Sequence, residues 1–229
     1  MDLFALPLQT ACCLRYCLPD NIGDLPHVTR QISAFLDTFS ADWTMLIAYR
    51  KTRSFLWVKF VAARELPETQ DPFYKRWLLN RTAELAASRG DLPTLQWLME
   101  IYLPVELVDN VVEVAAAFGC LDILQWLYDH HTQRVHFGKA EMCGAIEDKH
   151  DDVVNWLWEH TVPAAEYRDK ILWSAAEAGN MNILKWLCAE FNLDPIKALQ
   201  PAIDGCNWKM ACWINERYDT GSLDPNERW

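Results

Sequence analysis

Eight cysteines and six histidines give this chain of 229 residues its widest chemical range, yet their spacing argues against using it. Cys12, Cys13, Cys17, Cys120, Cys143, Cys188, Cys206 and Cys212 include no C-x-x-C pair of the kind that holds zinc or runs a redox cycle. A chain of this length buries a core without disulfide staples, so the thiols are expected to be reduced and mostly buried. Cys206 and Cys212, six residues apart, fall on different sides of any helix and are expected to be buried thiols. His130 and His160 stand four residues after Trp126 and Trp156, too far apart in the chain to share a metal as local ligands, and His131 faces elsewhere. Their expected place is a helix C-terminus, where the partial negative charge suits an imidazole. There is no G-x-S-x-G, no G-x-x-x-x-G-K-S/T, no H-E-x-x-H and no glycine-rich phosphate cradle. A protein that is not an enzyme, with no cofactor and no metal, is the expectation.

The elements that would position such side chains are organised by an internal repeat. Trp97, Trp126, Trp156, Trp186 and Trp213 follow one another at 29, 30, 30 and 27 residues. Eleven residues before each stands Ala86, Ala115, Ala145, Ala175 or Ala202, and directly after each comes Leu98, Leu127, Leu157, Leu187 or Ile214. Three before are Thr94, Ile123, Val153, Ile183 and Met210; seven before are Gly90, Gly119, Lys149, Gly179 and Cys206. Each copy predicts two short helices. The first has apolar residues three and four apart and ends at the glycine place, where a left-handed residue closes a helix. The second carries an apolar stripe such as Ile123, Leu124, Trp126 and Leu127. Alanine pairs at 86–87, 115–116 and 175–176 let neighbouring helices approach closely, and the tryptophans are expected to fill the volume between copies. One such pair cannot bury both its faces, so the copies must stack.

The segments LAASRGDLPTLQWL, VAAAFGCLDILQWL and SAAEAGNMNILKWL resemble the core of ankyrin repeats, and more closely a divergent Trp-Leu form of them. The resemblance covers roughly residues 82–218. It departs from the family in lacking the Thr-Pro-Leu-His opening and in a period shorter than the usual ~33 residues. It implies an all-α, ankyrin-like helical-repeat solenoid with short or absent β-hairpin fingers and an N-terminal helical cap. The expected organisation is a tail and capping helix over 1–42, a degenerate repeat and proline-containing linker over 43–81, five repeats over 82–218 and a flexible tail over 219–229. In the cap, Val28, Ile32, Phe35, Leu36 and Phe39 form one face; in the degenerate repeat Ala48 takes the alanine place and Lys59 the tryptophan place.

Net charge is −11, and it is uneven: residues 1–80 carry +1 and residues 81–229 carry −12. An acidic surface repels phosphate backbones, which argues against nucleic acid. No apolar run is long enough for a membrane span, and Asp2, Pro7 and Arg15 break the pattern of a secretory leader. Glu100, Asp129, Glu159 and Glu216, three residues after the tryptophans, read as a solvated outer face. Eight and nine residues before the tryptophans lie Arg89, Phe118, Glu147, Asp148, Glu177 and Asp204, places that line the partner-binding concave face in ankyrin-like stacks. Trp173 joins them, because its place is held elsewhere by Glu84, Glu113, Cys143 and Gln200. Arg89, Phe118, Glu147, Asp148, Trp173, Glu177 and Asp204 are thus the expected partner-binding residues. The expected function is a non-enzymatic, monomeric protein-interaction scaffold in the cytoplasm or nucleus, binding a protein partner with a basic segment. The alternatives are an F-box-like adaptor of a ubiquitin ligase, from LPHVTRQISAFL, and a secreted pathogen effector that binds a host protein.

Overall fold

A computed structural model describes residues 42–64 and 71–222. The expected capping helix at 25–39 and the thiols Cys12, Cys13 and Cys17 lie outside the described residues. Among those described there are twelve α-helices and no strand, and no helix is long and apolar enough to cross a membrane. The chain divides into two compact units, one made of the residues up to Leu85 together with Pro93–Glu106, the other of Ala86–Leu92 and the residues from Leu107 on.

In the first unit, α1 (Met45–Thr52) and α2 (Phe55–Arg64) pack on one another. Thr44 caps α1 by accepting the Ile47 N–H at 3.3 Å. Arg53 closes the helix in the left-handed conformation (φ 53°), donating its N–H to Tyr49 at 3.0 Å. Aligned on that left-handed residue, the pair sits one residue away from the sequence expectation. Tyr49 and Phe60 take the alanine and tryptophan places; Val58 and Val61 are buried and Leu56 is exposed. Ala48, Phe60 and Val61 form the core here, with Trp43 and Trp57 against them. Helix α3 (Pro72–Ala87) runs from this unit into the second. Helix α4 (Leu92–Trp97) opens into a π turn, Leu98–Tyr102, and Trp97 meets Phe55 edge-on at 6.0 Å.

The second unit is built from helix pairs: α5 (Val111–Ala117) with α6 (Leu121–His131), α7 (Glu141–Glu147) with α8 (Asp151–His160), α9 (Ala165–Ala178) with α10 (Met181–Phe191), and α11 (Leu199–Asp204) with α12 (Trp208–Ser222). The first helices of successive pairs pack directly: α5 on α7, α7 on α9, α9 on α11. That contact is close because the residues there are small. A Cβ added to Gly144 would meet the Ala117 Cβ at 3.0 Å, and the five repeat alanines are fully buried.

The turn within each pair repeats atom for atom. Asp91, Cys120, His150, Asn180 and Asn207 donate their backbone N–H groups to Ala86, Ala115, Ala145, Ala175 and Ala202, at 2.8–3.0 Å. These are the six-to-one bonds that close a helix on a left-handed residue. The left-handed residues are Gly90, Gly119, Lys149, Gly179 and Cys206, all with positive φ. Lysine and cysteine therefore adopt the glycine geometry where the sequence supplies no glycine. Beyond the turn, Ile123, Val153, Ile183 and Met210 and the leucine or isoleucine after each tryptophan are buried.

Connections between pairs are held without a β-hairpin. Val108 donates to Arg134 at 3.0 Å, and Ala164 donates to Gly138 at 2.8 Å, so each long connection bonds its neighbour once. Glu141, 1% exposed, anchors the middle one by accepting the backbone N–H groups of Gly138 and Lys139. Burial pushes its carboxyl above the usual range, against the pull of those N–H bonds. The folded chain therefore binds that proton more tightly than the unfolded chain. Unfolding free energy should fall as pH climbs from the ordinary glutamate value through the raised one, and stay level beyond it. Glu141→Gln should remove this slope in urea melts taken from about pH 4 to 7; a slope unchanged from the parent would show that another group carries it.

The tryptophans differ in burial along the second helices. Trp97 and Trp126 are buried, whereas Trp156, Trp186 and Trp213 are partly exposed. They also reach the preceding pair: Trp156 meets Tyr128 at 5.5 Å and Trp186 meets Trp158 at 5.5 Å. Tyr128 and Trp158 both stand two residues after a tryptophan, so the aromatics interlock from one pair to the next. Helix α12 continues through Ser222, past the end expected for the last repeat.

Candidate functional site

The seven residues expected to bind a partner all belong to the second unit. Apart from Trp173, which lies one turn earlier on α9, they sit on, or just past, the last turn of α3, α5, α7, α9 and α11, on helices whose repeat alanines are buried. Phe118 follows α5 and is 60% exposed. Glu147 and Asp148 end α7, and Asp204 ends α11; all three carboxylates are exposed. Trp173 and Glu177 are four apart on α9, so they share one side of it. Trp173 is 48% exposed. Arg89 is half-buried, so it offers less of its side chain than the others.

Two of the carboxylates are positioned by neighbours. Ser174 donates its hydroxyl to Glu147 Oε1 at 2.9 Å, joining α9 to the end of α7. Gln200 donates to Asp204 Oδ1 at 2.8 Å, one turn apart on α11. Neither Ser174 nor Gln200 was legible from composition, but the signal existed: both adjoin or occupy the place four residues before the acidic one, the stripe that also holds Trp173. The backbone beneath is tied as well. Asn207 donates its side-chain amide to the carbonyls of Ala176 at 2.9 Å and Glu177 at 2.7 Å. The result is a set of exposed carboxylates with an indole and a phenyl ring among them, on helix ends tied by these hydrogen bonds. Such a set can accept hydrogen bonds from ammonium or guanidinium groups and stack their apolar stems.

Other sequence expectations separate here. Among the described thiols Cys143 is buried and Cys120 and Cys188 are half-buried, but Cys206 and Cys212 are exposed. The expectation of buried thiols at 206 and 212 is therefore corrected. Cys206 sits in a left-handed turn that turns its side chain away from the packed helices, and Cys212 lies on the open side of α12. Burial pushes the thiols of Cys120, Cys143 and Cys188 upward, which keeps them protonated. His130 and His160 lie in the last turns of α6 and α8, where the dipole argument places them, with Nδ1 donating to the carbonyls of Trp126 and Trp156 at 3.1 and 2.8 Å. Among the described residues no three His, Cys, Asp or Glu side chains gather in a way that could hold a metal ion. Glu100, Asp129, Glu159 and Glu216 are all exposed.

No family model, no curated protein and no solved structure matches this chain.

Proposed function

We propose that this chain is a non-enzymatic protein-interaction module, an ankyrin-like stack of helix pairs that binds a protein partner along the face running from Phe118 to Asp204. The observation that carries the reading is the pairing of exposed aromatics with exposed carboxylates at the ends of stacked helices. Phe118 and Trp173 remain open to water, although the repeat alanines and the residues three before and one after each tryptophan are buried, and Trp is among the residue types that dominate binding energy at interfaces. The recurring turn geometry and the stacking of α5, α7, α9 and α11 support the ankyrin-like reading. Glu147, Asp148, Glu177 and Asp204 favour a partner segment rich in lysine or arginine. The free thiols suit a reducing compartment, cytosol or nucleus.

The test compares purified variants as baits. Phe118→Ala with Trp173→Ala should raise the off-rate of whatever the parent retains. Glu147→Lys with Glu177→Lys should lower the on-rate by an order of magnitude or so, most strongly at low ionic strength, since complementary charge chiefly speeds encounter. Asp129→Lys with Glu159→Lys on the outer helices is the control. If that pair abolishes binding while the other variants bind as the parent does, the partner docks elsewhere and the proposal fails.

A further inference from the structure

Both exposed thiols among the described residues, Cys206 and Cys212, line one cleft of about 990 Å³ bounded by α10 and α12. Lys185 and Lys209 line it too, with Glu216 as the one carboxylate. That local balance is opposite in sign to the chain as a whole, whose net charge is −11. Trp208, 62% exposed, supplies an apolar wall. Lys209 and Trp208 precede Cys212 by three and four residues, so all three share one side of α12. Lys185 extends from α10 with its ammonium 5.5 Å from the centre of the Trp213 ring. A thiol, two ammonium groups and an open indole thus meet in a space large enough for a small peptide.

The geometry points to Cys212 as a thiolation site for small anionic disulfides of the glutathione type. The lysine ammonium groups receive the carboxylates of the disulfide, and the indole covers its methylene groups. The Cys212 thiol gives its proton to solvent and the thiolate attacks one sulfur of the incoming disulfide. The old S–S bond breaks as the new one forms, and the departing thiolate takes up a proton. The small disulfide is the oxidant: one half leaves as a thiol and the other stays bound to Cys212. Cys206, two residues after the Asp204 carboxylate, is the slower target for an anionic reagent. Cys120, Cys143 and Cys188 are shielded by burial and stay largely protonated.

The experiment treats the reduced full-length chain with glutathione disulfide, with neutral 2-hydroxyethyl disulfide and with cationic cystamine. Peptide mass spectrometry locates and times each adduct. Glutathione disulfide should modify Cys212 at least about tenfold faster than Cys120, Cys143 or Cys188. Lys185→Glu with Lys209→Glu should slow that reaction by about tenfold, speed the reaction with cystamine and leave the neutral reagent within about twofold. Circular dichroism verifies the fold, and Lys185→Gln with Lys209→Gln should give the same order with smaller changes. Three outcomes each overturn the assignment: Cys206 reacting faster than Cys212, adducts confined to Cys12, Cys13 and Cys17, or lysine variants that respond alike to all three reagents.

Discussion

Trp126→Ala should lower the unfolding free energy by about 3–5 kcal/mol, the range for deleting a buried aromatic, whereas Trp173→Ala should lower it by only about 1–2 kcal/mol, since half of its indole already meets water. The two indoles stand on the same kind of scaffold and differ in what surrounds them. Trp126 is buried on α6 with Ile123 and Leu127 beside it, and its ring meets His131 edge-on at 4.5 Å. Its removal leaves a hole that fixed backbone on both sides cannot close. Trp173 lies half in water on α9, so truncating it forfeits about half the burial that Trp126 loses. Urea melts of both variants give the comparison. Equal losses would mean that Trp173 is a packing residue and that the binding face has been drawn in the wrong place.

Gly179→Val should cost about 3 kcal/mol through two separable effects. Gly179 has φ +80°, a conformation that costs a residue with a Cβ roughly 1–2 kcal/mol. An added Cβ would also meet Asn207 Oδ1 at 2.6 Å and Cγ at 3.0 Å. Asn207 would have to swing away and give up its bonds to Ala176 and Glu177, each worth about 1 kcal/mol. The two parts are distinguished by repeating Gly179→Val on an Asn207→Ala background. There the clash is relieved and the bonds are already lost, so only the backbone strain should remain. Full additivity of the two substitutions would show that Asn207 does not rest on Gly179.

Much of this arrangement was legible in the spacing alone, because the repeat fixes both the helix boundaries and the buried positions. The alanine, the left-handed residue and the aliphatic residue after the tryptophan recur for one physical reason each: close helix approach, chain reversal and core filling. What the spacing could not give was the exact register where the consensus thins. At α1–α2 the backbone turns at Arg53 and not one residue earlier, and only the backbone conformation reveals that Phe60, not Lys59, packs inward. Lys149 and Cys206 are the same lesson reversed, since residues that disfavour a left-handed turn adopt it when their neighbours impose it. The exposure of Cys206 and Cys212 was hidden for a different reason. Cysteine is read as a buried residue by default, and helical spacing says which residues share a side but not which side meets water. Of the candidate face, residue types and exposure could be anticipated; the Ser174 and Gln200 hydrogen bonds that hold its carboxylates could not.

The turns described above give the array a direction. Cys120 places its thiol 3.2 Å from the Ala87 carbonyl, the His150 ring lies against Gly119, and Asn207 binds the carbonyls of Ala176 and Glu177. At each of these junctions the earlier turn is sealed by a side chain that comes later in the sequence. Synthesis runs the same way. At these three junctions the later pair, as it leaves the ribosome, brings the side chain that closes the turn already made. A chain shortened at its N-terminus would keep each of these three latches whose turn remains, while one shortened before Asn207 would leave the Ala176–Glu177 turn open.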